Sequence, residues 1–81
     1  MSIYKKLSKV QNDLADELLG EFNARAKKTL VNMVGISHDE KGPCILVGLS
    51  EKPTKEQEEQ LPVQKDGVRV KYEVIGKITP R

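Results

Sequence analysis

Leu30-Val31-Asn32-Met33-Val34-Gly35-Ile36-Ser37-His38-Asp39-Glu40-Lys41-Gly42-Pro43-Cys44-Ile45-Leu46-Val47-Gly48-Leu49-Ser50 holds two aliphatic, β-branched runs around the polar tetrad Asp39 to Gly42. Such runs separated by turn residues read as a β-hairpin. Pairing Ile36 with Ile45 and Val34 with Val47 leaves a four-residue turn. That register collects Val34, Ile36, Ile45, Val47 and Leu49 on one face, because side chains alternate along a strand. The other face then carries Val31, Met33, Gly35, Ser37, Cys44, Leu46 and Gly48, a low strip of small residues beside three larger apolar ones.

Upstream of the hairpin, apolar residues recur at Ile3, Leu7, Val10, Leu14, Leu18 and Phe22, which is helical spacing with a single stripe. One long helix over residues 1–28 is expected. Ser2 or Ser8 would cap its start, the latter with Gln11 in a capping-box pattern. Gly20 would bend the helix or end it ahead of Lys27-Lys28-Thr29. Lys5, Lys6 and Lys9 sit where the helix dipole disfavours cations.

Downstream, Thr54 and Gln57 form a second capping-box pattern. Residues 54–61 are therefore expected as a short helix or a loop, with Leu61 as the one apolar anchor and Pro62 as its stop. Asp66-Gly67 turns the chain into Val68-Arg69-Val70-Lys71-Tyr72-Glu73-Val74, whose strict alternation marks a third, half-exposed strand; 67–78 is taken as that strand and its tail. The expected fold class is α+β, two-layer, with the amino-terminal helix packed on a small three-stranded sheet in the order α-β-β-(α)-β over a single domain, 1–81.

Composition narrows the function classes. The chain of 81 residues carries 14 basic and 12 acidic residues, so charge dictates no partner class. Its small aliphatic core, with one Phe and no Trp, would gain from dimerisation. The amino terminus lacks the apolar stretch of a secretory signal, one cysteine cannot close an internal disulfide, and no apolar run reaches the ~20 residues of a membrane-spanning helix. A cytoplasmic location off the membrane is expected.

Constellations that would carry chemistry are thin. His38 and Cys44 flank the turn as a conceivable imidazole and thiol, but only Asp39 stands by to orient them, and the bland alternative is a turn histidine and a small strand residue. His38, Asp39 and Glu40 diverge as consecutive turn residues and make a poor ligand set. A structural zinc site wants four Cys or His ligands where the chain has one of each. Glu56, Glu58 and Glu59 read as a solvated helix face. No catalytic, metal or cofactor residues are assigned, and no cofactor is expected.

Two contact surfaces remain. One is the low face of the hairpin, represented by Met33, Gly35, Cys44, Leu46 and Gly48, which the short helix, a second copy or a partner would cover. The other is the edge of the last strand, represented by Val70 and Tyr72, open to β-augmentation. The expected role is a non-catalytic protein-interaction or oligomerisation domain, with a protein partner or a homodimer mate. The alternative, association with nucleic acid, rests on the basic groups at the two helix ends, although acids lie between them and stacking aromatics are few. A thiol-dependent enzyme is the remote third class.

The run Val31 to Ile36, the hairpin strand Gly42 to Val47, Leu61-Pro62, Asp66-Gly67-Val68-Arg69-Val70 and Gly76-Lys77-Ile78 together resemble a small α+β domain of uncharacterised prokaryotic proteins. They are also similar to the short region ahead of trypsin-like peptidase domains in some bacterial proteins. The resemblance spans roughly the last 50 residues and implies a fold, with no catalytic residue carried over. Ser2 to Gln11 resembles the first helix of some phage single-strand annealing proteins, from which the rest of the chain departs.

Overall fold

The computed structural model describes residues 3–75. The Ser2 cap and the tail from Gly76 to Ile78 fall outside them. Helix α1 (Ile3–Ala15) continues into a π-helical stretch (Asp16–Phe22) and a last α-turn, α2 (Asn23–Ala26). Leu7, Val10, Leu14, Leu18 and Phe22 are its buried stripe, as the spacing predicts. A step of four overshoots the α-turn of about 3.6 residues and falls short of the wider π-turn. Combining the two turns keeps Leu14, Leu18 and Phe22 facing the sheet.

Gly20 lies within the π-helical stretch and does not end the helix. Closure comes at Lys27, which adopts a left-handed φ of 58°. There Lys27 N–H donates to Ala24 O at 3.2 Å and Lys28 N–H to Asn23 O at 3.3 Å, a Schellman closure. Asn23 then holds the next element: its Nδ2 donates to Val31 O at 2.8 Å and its Oδ1 accepts from Val31 N–H at 2.9 Å.

Strands β1 (Val31–Asp39) and β2 (Gly42–Leu49) pair antiparallel with Ile36 opposite Ile45 and Val34 opposite Val47, the expected register. Two details differ from expectation. Asp39 pairs with Gly42, so the turn is reduced to Glu40 and Lys41. A register shift between Val31 and Met33 makes Asn32 a bulge, which flips the parity of Val31 and carries it from the low face into the core.

Helix α3 (Lys55–Gln60) is formed, and its capping box is present: Thr54 Oγ1 accepts from Gln57 N–H at 3.2 Å, and Gln57 Oε1 accepts from Thr54 N–H at 2.9 Å. Leu61 ends the helix and is buried in the core. The sheet has four strands rather than three, because β3 (Gln64–Lys65) precedes β4 (Val68–Val74) across a turn in which Asp66 and Gly67 both have positive φ.

The sheet order is β1-β2-β4-β3. β4 runs parallel to β2, with Ile45 opposite Val70 and Leu49 opposite Val74. Parallel neighbours need a crossover, and α3 supplies it. Phe22, Arg25 and Ala26 border a hollow with Thr54, Gln57 and Gln60, which sets α3 beside the carboxyl end of the long helix, on the same face of the sheet. A two-layer α+β architecture results. Its core joins the helix stripe to Leu30, Val31, Ile45, Val47, Leu49, Leu61, Val68 and Val70.

Candidate interaction surface

With both helices on one face, neither covers the other. That second face carries Met33, Gly35, Leu46 and Cys44, as the alternation dictates, yet it is less bare than its composition suggests. A Cβ on Gly48 would meet Ile75 Cδ1 at 2.7 Å, Asn32 Oδ1 at 3.1 Å and Met33 Cβ at 3.2 Å. Gly48 is therefore a seat for neighbouring side chains. Cys44 is 1% exposed. Only Met33 among these residues is exposed, with Gly35 and Leu46 half-buried.

Beside Cys44 an ionic cluster crosses the sheet. From β4, Arg69 Nη1 and Nη2 reach Asp39 Oδ2 and Oδ1 on β1 at 2.5 and 2.6 Å, and Lys71 Nζ joins at 2.6 Å from Asp39 Oδ2. Arg69 Nη2 also lies 3.4 Å from Gly42 O on β2, the strand it spans. Asp39 further accepts from Lys41 N–H at 2.9 Å, which shapes the turn.

The hydrogen bonds from Arg69 and then Lys71 hold the Asp39 carboxyl far below the usual carboxylate range, against a smaller opposing effect of burial. A carboxylate depressed in the folded state stabilises the fold above its unfolded value near pH ~4 and loses that contribution as pH falls through the folded value. Accordingly, the gap in urea midpoint between the wild-type chain and Arg69→Met should be open at neutral pH and should narrow as the solution is acidified below about pH 4. A gap independent of pH would mean the cluster adds no carboxylate-linked stability.

Val70 and Tyr72 point to the helix side, away from the low face. Val70 is core, and its N–H donates to Val63 O at 2.9 Å, so it offers no open edge. This corrects its expected place on an exposed edge. Tyr72 is half-buried, and its hydroxyl donates to Pro62 O at 2.5 Å. Desolvation, with the Glu17 carboxylate second, raises its pKa above the ordinary phenol range and keeps it a neutral donor.

The two sides of the sheet are finished differently. In a hairpin closed by the Asp39/Gly42 pair, Val34, Ile36 and His38 turn their backbone groups outward. Gln11 Nε2, reaching down from α1, donates to Val34 O at 3.0 Å and so occupies the middle of that edge. On the opposite side β3 covers β4 only as far as Val70. There the chain departs at Pro62, which has no N–H and whose carbonyl is taken by Tyr72.

From that point Tyr72 and Val74 turn their N–H groups away from β2, in phase with Val70, while Ile75 N–H donates inward to Leu49 O at 2.9 Å. No strand covers this stretch among the described residues. Against it lies a groove of about 290 Å³ lined by Leu49, Pro53, Leu61, Val63, Tyr72 and Val74, with Lys52 and Glu58 on its rim. Val63 is 76% exposed and Val74 51% exposed.

Nothing in the sequence reading marked Val63 or Pro53, and Gln11, read there as a capping residue for Ser8, lies inside α1 and reaches Val34 O instead. The available signal for Val63 was an apolar residue stranded between Pro62 and the polar run Gln64 to Asp66.

The Cys44 thiol and the His38 imidazole are not brought together. Ser37 pairs with Cys44 and His38 with Pro43, which puts the His38 and Cys44 side chains on opposite faces of the sheet. Among the described residues no three of His, Cys, Asp and Glu gather as a metal site, and no helix is long and apolar enough to cross a membrane. No family model, curated protein or solved structure matches the chain.

Proposed function

We propose that the chain is a non-catalytic protein-interaction domain that takes an extended partner segment along the free edge of β4 at Tyr72 and Val74. The observation that carries this reading is the asymmetry of the two sheet edges. On the β1 edge Gln11 takes one carbonyl, that of Val34, whereas the β4 edge at Tyr72 and Val74 carries no strand among the described residues and adjoins an apolar groove. An unpaired strand edge gives backbone hydrogen bonds to any extended chain, and a neighbouring pocket selects alternate side chains.

A phage-displayed library of random peptides should yield clones that bind the wild-type chain, shift the Tyr72 and Val74 amide resonances, and are lost with Val63→Asp at the groove lip. Recovery of no clone above the Val63→Asp background would sink the proposal.

A second reading, association with nucleic acid, draws on a different placement. Lys6 Nζ lies 3.6 Å from where a Cβ on Gly67 would stand, so the basic start of α1 meets the β3–β4 turn. Lys41, Arg69 and Lys71 line a hollow with Asp39 and Glu40 at that end of the sheet. Binding of a single-stranded oligonucleotide that weakens steeply with salt would put this reading ahead of the first.

A further inference from the structure

We infer that the segment docking on β4 sets a basic residue across from Glu73, between apolar residues that enter the groove, an inference that rests on the edge-docking reading above. Along a strand laid against Tyr72 and Val74, successive side chains would fall on opposite faces of the sheet. Those on the helix side would enter the groove between Leu61, Val63, Tyr72 and Val74, where apolar side chains are required. Those on the other side would lie beside Lys71 and Glu73, the residues of β4 that point that way.

The two charges differ in availability. Lys71 is engaged, its Nζ being 2.6 Å from Asp39 Oδ2. Glu73 is exposed and makes no ion pair among the described residues. Arg69 and Lys71 share the single Asp39 carboxylate, so that cluster keeps a net positive charge, and the negative charge on this side of the edge is confined to Glu73. On the groove side Lys52 and Glu58 both line the hollow, and their charges offset each other.

A cation directly across from Glu73 would form a favourable cross-strand pair, and an anion an unfavourable one. Serine or threonine in its place would leave the backbone bonds and the groove contacts intact without the charge term. Docking and charge preference are thus separable properties of the same edge.

The test is fluorescence anisotropy with three labelled, capped peptides that alternate valine with serine and carry lysine, serine or glutamate at one central serine position, each titrated with the full chain at low salt. The expected order of affinity is lysine, serine, glutamate, with about a tenfold span. Glu73→Lys, an exposed substitution, should invert it. Equal affinity for the three, with the Tyr72 and Val74 amides still shifted, would overturn the basic partner while leaving edge docking standing. No binding of any peptide would overturn both. A concentration-dependent dimer in sedimentation whose interface moves the same two amides would assign the edge to a second copy and overturn the inference.

Discussion

Asn23→Ala is expected to lower the stability of the fold by about 2–4 kcal/mol, read as a fall in urea midpoint at unchanged slope. The side chain satisfies both backbone groups of Val31, at 2.8 and 2.9 Å, where Val31 is fully buried. Removing it leaves a donor and an acceptor without partners at the point where the chain passes from helix to sheet. Each orphaned group costs about 1–3 kcal/mol.

Asn23→Asp separates the two bonds. A carboxylate can still accept from Val31 N–H but meets Val31 O with a second negative oxygen, so its protonated form is the better fit. The introduced group would have a raised folded pKa. Its penalty should be largest above that pKa and should shrink as pH falls through it. Equal stability of Asn23→Ala and the wild-type chain would show that water replaces the amide at no cost.

The second large effect is expected at Gly48. Gly48→Ala should destabilise by about 1–3 kcal/mol, and Gly48→Val by more, because the added atoms meet Met33 Cβ and the bulged Asn32 as well as Ile75 Cδ1. Ile75 is the contact able to yield, being the far end of a flexible side chain. Ile75→Ala should therefore recover part of the loss in a double-mutant cycle.

Gly35 is the control on the same face. Nothing lies within 4 Å of a Cβ built there. Gly35→Ala should be neutral or gain about 0.4–1 kcal/mol by restricting the unfolded chain. Equal responses at Gly35 and Gly48 would contradict the seating of Ile75 over β2.

These contrasts separate what was legible from what was not. Gly35 and Gly48 look alike in the sequence, both alternating with Met33 and Leu46 on a low strip. Their difference comes from Ile75, 27 residues beyond Gly48 in the numbering, folding over one and leaving the other bare. The parity of Val31 was likewise out of reach. The bulge at Asn32 that flips it is anchored by Asn23 across the helix-to-strand link, and no local pattern reports that contact.

The ionic cluster joins Asp39 to Arg69 and Lys71 only because β4 lies beside β2, an order that follows from the crossover through α3. β3, at two residues, is too short to leave a periodic trace.

By itself the sequence determined the helix stripe from Leu7 to Phe22, the pairing of Ile36 with Ile45, and the alternation of Val68 to Val74. These are periodic properties of a chain that must bury one face, and period is written residue by residue. The tertiary structure alone decided what meets each outer edge: a helix side chain at Val34 of β1, and an apolar groove beside Tyr72 and Val74 of β4. That outcome depends on where Gln11 lands on β1 and where Pro62 leaves β4, contacts made only after distant segments have packed.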